Sequence, residues 1–236
     1  MTFAGPKDDK TELTKYGEAQ YDHLILYTPS TKGKLSSALR HSADMTVFPR
    51  HLSPKAIIDA QLAGLNTLYL LSSSISETQR ETLREYDIEF SESGSLLLDA
   101  FSHPASSSPS TVLLPPTSCL KHNGPLLSNS TLSGGPIVFP SSAVHTLGQN
   151  PYLVEVAHAP KTAYVGDERS LSADEAEVEA VVGGKVGKGP IQSGRKATLV
   201  SALQTRDNVR IGFVGSGAAF SDEYWGKKVK TVDGQS

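Results

Sequence analysis

A chain of 236 residues with 38% hydrophobic and 7% aromatic content can build one large core or two small ones, with much of its length left outside. Its 22 basic and 25 acidic side chains give a net charge of −3, which excludes the basic excess that non-specific nucleic-acid binding needs. The single cysteine, Cys119, excludes an intrachain disulfide and a multi-cysteine zinc site, and no run has the length and apolarity of a membrane-spanning helix.

The N-terminal Gly5-Pro6-Lys7-Asp8-Asp9-Lys10 lacks the apolar run of a signal peptide. Tyr21-Asp22-His23-Leu24-Ile25-Leu26-Tyr27 then predicts a strand, and its nearly continuous apolar run predicts cover on both faces. Residues 30–50 show no sustained period and read as a loop. Ser53 as cap, Pro54 at the first helical position and Gly64 just past the end punctuate a helix whose buried face is Ile57, Ile58 and Leu62. A second buried strand follows at 65–71. Ser76 with Gln79 resembles a capping box and opens a helix through about Glu85. Strand, helix, strand, helix with short joints predicts an α/β fold, a mainly parallel sheet flanked by helices, in a single domain over residues 1–236.

Shorter strands are expected at 88–90, 95–99, 111–114, 136–139 and 151–156. Between them lies a Pro/Ser-rich loop at 102–110. Residues 174–194 are acidic and then Gly/Lys-rich, a composition that predicts a mobile loop. A last helix is expected over 196–205, burying Leu199, Val200 and Leu203. It feeds the strand Val209-Arg210-Ile211-Gly212-Phe213-Val214, which breaks into Gly215-Ser216-Gly217.

That break has the look of a site. Gly215-x-Gly217 after a strand is half of a dinucleotide fingerprint, but Phe220 stands where a third small residue belongs, and no acidic residue ends a following strand. A hydrolase elbow would need glycine where Val214 stands. Cys119 has His103 and His122 near it in sequence, yet Pro115-Pro116-Thr117-Ser118-Cys119 is not a strand-to-helix turn. The seven histidines, at 23, 41, 51, 103, 122, 145 and 158, show no metal-ligand spacing. Asp222 and Glu223 are adjacent and diverge, which suits capping better than acid–base work. Asp174, Glu175, Glu177 and Glu179 read as a solvated face. Asn129-Ser130-Thr131 is an N-glycosylation sequon. No catalytic, cofactor-binding or metal residue is assigned.

The same C-terminal stretch carries a family resemblance. Arg206-Asp207-Asn208-Val209-Arg210, Gly215-Ser216 and Phe220-Ser221-Asp222-Glu223-Tyr224-Trp225 resemble the non-catalytic β subunit (48 kDa-type) of the dolichyl-diphosphooligosaccharide–protein glycosyltransferase, the oligosaccharyltransferase complex. Lys15-Tyr16-Gly17-Glu18, Tyr21-Asp22-His23-Leu24-Ile25, Tyr27 to Pro29, Leu71 to Ser73, Asp87-Ile88-Glu89-Phe90 and Asn150-Pro151 have counterparts in the same order. The similarity is dense at both ends and thin from Ser102 to Pro190. Ala63-Gly64-Leu65 replaces the family's glycine-rich turn, and the Gly/Lys insertion at 183–189 is unusual.

The resemblance implies a luminal endoplasmic-reticulum domain of a type I membrane protein, similar to a glutamine-amidotransferase-like domain without its catalytic residues. It implies no cofactor and no enzymatic role for this chain. Its partners would be the other subunits, the catalytic one included, with no nucleic acid, and membrane association through a transmembrane helix absent from this chain. The signal peptide and first strand expected before Thr2, and the β domains after Lys228, make the chain a fragment or short form of that longer protein. Arg206, Asn208, Arg210, Gly215, Ser216, Phe220, Ser221, Asp222, Tyr224 and Trp225 are its structural signature, with a glycine turn that lets aromatics lock onto the sheet. The alternative is a soluble α/β enzyme of amidotransferase-like or nucleotide-binding type, using Cys119 or a pocket at 215–217.

Overall fold

A computed structural model describes residues 12–27, 53–75, 77–92, 94–105, 107–121, 126–167, 193–221 and 224. The first elements are β1 (Thr14–Lys15) and β2 (Glu18–Ala19), a hairpin whose two turn residues, Tyr16 and Gly17, sit at φ 54° and 83°. Positive φ at both central positions is what a type I′ turn requires. Next are β3 (His23–Tyr27), α1 (Pro54–Leu62), β4 (Asn66–Leu70), α2 (Glu77–Arg84), β5 (Ile88–Phe90), β6 (Ser95–Leu98) and β7 (Thr111–Leu114). Two four-residue helices, α3 (Pro116–Cys119) and α4 (Asn129–Leu132), precede β8 (Ile137–Pro140), β9 (His145–Leu147), β10 (Leu153–His158) and β11 (Tyr164–Asp167). The last elements among the described residues are β12 (Thr198–Gln204), β13 (Arg210–Val214) and a 3-10 turn at Gly217–Phe220.

The fold is mixed α/β, mostly strands, and only partly parallel. In the seven-stranded central sheet β3, β4 and β13 run parallel, with Tyr27↔Leu70 and Leu70↔Val214 in register. β12 is antiparallel to β13, β10 and β9, and β9 to β5. The expectation of a mainly parallel sheet is thereby corrected. The β12–β13 connection spans only residues 205–209, too few for the crossover that a parallel pair needs. Separate antiparallel pairs join β6 to β11 and β7 to β8.

Residues 198–204 form β12 and not a helix. Leu199, Val200 and Leu203 fit a helical stripe, but Leu199, Ser201 and Leu203 are buried while Val200 and Ala202 are half-buried and Gln204 is exposed, a period of two. The turn after it is closed by Thr205 and Asn208. The Thr205 amide donates to the Val209 carbonyl at 2.9 Å, and Asn208 takes φ 64°.

α1 begins and ends as its punctuation predicts. Ser53 Oγ accepts from the Ala56 amide at 3.2 Å, Pro54 opens the helix, and Gly64 follows at φ 106°. Its buried face keeps the expected Ile57, with Ile58 half-buried, but departs from expectation at Leu62. Ile57 and Ala60 are buried with Gln61, while Leu62 is 77% exposed. α2 packs its buried Gln79, Arg80 and Leu83 against the sheet; Ser76, its expected cap, lies outside the described residues. Arg84 grips Glu89 of β5 through Nε and Nη2 at 2.8 and 3.0 Å, and Arg80 donates to the Phe90 carbonyl at 2.8 Å.

Alternation along the strands divides the core between the sheet's two faces. Leu26, Tyr69, Ile211 and Phe213 face the cluster containing Ile57, Ala60 and Leu83 of the helices. Leu70 and Val214 face the cluster with Val112, Leu114, Phe139, Val144 and Leu199. Each fully buried Leu, Ile or Phe contributes about 1.5–3 kcal/mol. β3 is not covered on both faces: Ile25 and Tyr27 are 55% and 49% exposed, and among the described residues the strand pairs only with β4. The expected loop at 102–110 holds no strand or helix among its described residues, yet Pro104 and Ser110 are buried. Buried Asp99 anchors its start by accepting from the Phe101 and Ser102 amides and from the Thr162 hydroxyl. The loop expected at 30–50, and that at 174–194 up to residue 192, lie outside the described residues.

Candidate functional site

The glycine break after β13 sits at a seam. β12 pairs with β13 from Val200 to Gln204 and passes to β9 at Thr198↔His145. Between the two ladders, the Gly215 amide donates to the Leu199 carbonyl and the Ala143 amide donates to the Gly215 carbonyl, both at 2.8 Å. The Gly217 amide donates to the Leu71 carbonyl at 2.7 Å, and Ser216, 1% exposed, gives its hydroxyl proton to the Pro140 carbonyl. A Cβ on Gly215 would collide with the Ala143 carbonyl oxygen. One on Gly217 would lie 3.2 Å from the Tyr27 ring and 3.4 Å from the Leu70 and Leu71 carbonyls.

These contacts decide what the turn can do. A phosphate cradle needs backbone amides aimed outward at the ligand. Here the Gly215 and Gly217 amides are spent on sheet carbonyls, and the glycines let backbone meet backbone. The segment that follows is a four-residue 3-10 turn and not the helix that would supply a positive N-terminus.

The other signature residues are spread around this seam. Arg206 is exposed, donates from Nε to the Tyr152 hydroxyl at 2.8 Å, and lies 5.7 Å from that ring's centre. Asn208 accepts from Gln204 Nε2 at 2.7 Å, and the Arg210 amide donates to Asn66 Oδ1 at 2.9 Å. Phe220 is 52% exposed, and the aromatic against Gly217 is Tyr27. Ser221 donates its amide to the Ala218 carbonyl, and half-buried Tyr224 donates its amide to Ser221. Asp222, Glu223 and Trp225 lie outside the described residues, as do the acidic residues 174–179 and His122.

Two buried polar clusters carry no sequence motif. Gln61 accepts from the Tyr86 hydroxyl at 2.6 Å and donates to Thr67 Oγ1 at 3.0 Å, with the Tyr69 hydroxyl 3.4 Å from its Nε2. Phe213 stacks on Tyr69 at 5.3 Å and tilts against Tyr86 at 5.5 Å. Burial pushes both phenols above their ordinary range. On the same face His145 is fully buried, with Nε2 2.8 Å from Ser201 Oγ and its ring 4.9 Å from Phe90. Desolvation pulls its pKa down to about 3, so the ring is neutral. The His–Ser pair has the elements of a nucleophile and base, but neither is exposed to a substrate.

Cys119 ends α3 with 1% exposure, and burial pushes its thiol up. A reactive cysteine needs a lowered pKa and access. His103 Nδ1 lies 2.9 Å from the Pro104 carbonyl. Among the described residues no group of three or more His, Cys, Asp or Glu could hold a metal, and no helix is long and apolar enough to cross a membrane. A recess between α1 and α2 is lined by Pro54, Ile57, Tyr69, Leu71, Gln79, Thr82 and Leu83, without carboxylate, imidazole, thiol or amine.

The family model described as OST48, N-terminal domain matches residues 1–236. The chain is 31% identical over 218 residues to the dolichyl-diphosphooligosaccharide–protein glycosyltransferase subunit wbp1 of Schizosaccharomyces pombe, covering 92% of this chain and 43% of that protein. It is 26% identical over 235 residues to the 48 kDa subunit of the same transferase from Caenorhabditis elegans, covering 99% and 46%. Against the Danio rerio 48 kDa subunit it is 26% identical over 234 residues, covering 98% and 46%. The chain thus spans about half the length of the curated relatives it matches.

Proposed function

Because the chain belongs to the OST48 N-terminal domain family, we propose that it acts as a non-catalytic structural subunit of the oligosaccharyltransferase complex. In this reading it is one luminal domain of the endoplasmic reticulum, held by contacts with the other subunits, the catalytic one among them. It supports transfer of a preassembled oligosaccharide from dolichyl diphosphate to asparagine in Asn-x-Ser/Thr. The observation that carries the reading is the family match along the whole of residues 1–236.

The site geometry supports a scaffolding role. Among the described residues, four candidate groups are taken up by the fold: the Gly215 and Gly217 amides by sheet carbonyls, Cys119 and His145 within the core. The parallel trio β3, β4 and β13, with α1 against it, fits a glutamine-amidotransferase-like scaffold stripped of its catalytic apparatus. The same facts count against the alternative, an amidotransferase-like or nucleotide-binding enzyme.

The test is affinity purification of the tagged full-length protein from detergent-solubilised microsomes, followed by immunoblotting for the catalytic subunit. Co-purification in constant ratio is expected. A folded full-length protein that never brings the catalytic subunit with it would overturn the reading.

A further inference from the structure

We propose that Asn129 is itself an N-glycan acceptor, so that this chain is a substrate of the reaction its family is named for. The inference rests on the luminal placement given above. Asn129-Ser130-Thr131 is the only Asn-x-Ser/Thr triplet among the chain's five asparagines, at 66, 123, 129, 150 and 208. The three-dimensional setting makes the triplet available. Asn129, Ser130 and Thr131 are all exposed, and none of the four residues of α4 is buried.

The triplet also lies outside the core, since no residue of α4 belongs to either hydrophobic cluster. β7 and β8 are zipped to Leu114↔Ile137, so α4 belongs to an excursion beyond the closed end of that ladder. α4 is one turn, held by Ser128, whose Oγ accepts from the Thr131 amide at 3.3 Å and lies 2.9 Å from Thr131 Oγ1. The Ser133 amide and hydroxyl both donate to the Asn129 carbonyl at 3.0 Å. An isolated turn of four residues has almost no helical stability of its own. Its most covered side chain, Leu132, is only half-buried, so the turn opens locally at little cost. Opening frees the Thr131 hydroxyl from Ser128, and that hydroxyl is the group a sequon must offer beside the acceptor amide.

The chemistry is a glycosyl transfer. Asn129 Nδ2 forms a bond to the anomeric carbon of a lipid-diphosphate-linked oligosaccharide, and the bond from that carbon to the diphosphate oxygen breaks. The lipid diphosphate leaves with the electron pair, and the amide nitrogen releases one proton. The attached glycan extends into solvent from an exposed turn, adding bulk and hydration at the surface.

The experiment expresses the whole 236-residue chain behind a cleavable signal peptide in eukaryotic cells and reads its gel mobility with and without a peptide N-glycosidase. The wild-type chain is expected to show a single glycosidase-sensitive shift. Asn129→Gln and Thr131→Ala should lose it completely; Thr131→Ser and Ser130→Ala should keep it. Arg210→Thr, which completes a second triplet at exposed Asn208, reports delivery to the lumen. A shift in Arg210→Thr with none in the wild type overturns the proposal, and so does a shift that survives Asn129→Gln. The added signal peptide makes delivery independent of the chain's native targeting. Glycosylation without association would sink only the subunit reading, and association without glycosylation only this one.

Discussion

Gly215 and Ala143 meet backbone to backbone: the Ala143 amide donates to the Gly215 carbonyl at 2.8 Å, and the Ala143 carbonyl oxygen fills the space a Cβ on residue 215 would need. This contact is where the β12–β13 ladder passes to β9, so residue 215 must be glycine for the two halves of the sheet to join. Gly215→Ala is expected to destabilise by about 2–3 kcal/mol, because neither backbone can move without breaking a ladder. Gly135→Ala, with nothing within 4 Å of its added Cβ, serves as control and should change little. Equal urea midpoints for the two variants would refute the assignment.

The burial of Gln61 in place of Leu62 on α1 makes a second prediction. Gln61→Leu leaves the Tyr86 and Tyr69 hydroxyls and Thr67 without their shared partner in a buried site and should cost about 2–4 kcal/mol. Leu62→Ser, at a 77% exposed position, should stay within about 0.5 kcal/mol of wild type. The hydrophobic pattern alone predicts the opposite order, so paired denaturation curves separate the two accounts.

His145 links stability to pH. Its pKa falls from an ordinary 6.5 to about 3 because burial disfavours the charged ring. Between those values the unfolded chain binds a proton that the folded chain refuses, so stability must fall as pH drops from about 6.5 towards 3. The limiting slope from this one group is about 1.4 kcal/mol per pH unit. His145→Gln retains a polar partner for Ser201 and has no proton to gain, so the difference in unfolding free energy between wild type and variant should shrink on acidification. A difference that stays constant from pH 7 to pH 4 would show that His145 does not titrate on unfolding.

Cys119, a free thiol with 1% exposure and a raised pKa, should resist iodoacetamide in the native chain and react once the chain is unfolded. Native labelling is expected to be slower by at least about 100-fold, since it requires opening of the core around Phe139 and Leu114. Rapid native alkylation would restore Cys119 as a candidate nucleophile and weaken the scaffold reading.

Much of the local structure was legible because it is written in local chemistry. Ser53, Pro54 and Gly64 marked both ends of α1, and the short strands at Ile88–Phe90 and Thr111–Leu114 stand where turn residues bound them. The spacing around Gly215 was enough to deny it a full dinucleotide or hydrolase motif. The short β1–β2 hairpin was less legible, because Tyr16 takes a positive φ that its residue type gives no reason to expect.

What the sequence determined by itself is therefore the set of elements with strong ends, the incompleteness of the site motifs, and the family, read from ordered short segments. What only the tertiary structure decided depends on partners distant in sequence. β12 is a strand because β13 and β10 pair with it on either edge. Gln61 is buried because Tyr86, 25 residues on, gives it a hydrogen bond. The glycine turn that looked like a ligand site is closed because Leu199, Ala143 and Leu71 take up its backbone groups. Caps and turns are satisfied within a few residues and leave a mark on local sequence. Strand pairing and buried hydrogen bonds are satisfied across the sheet, and only the folded chain brings those groups together.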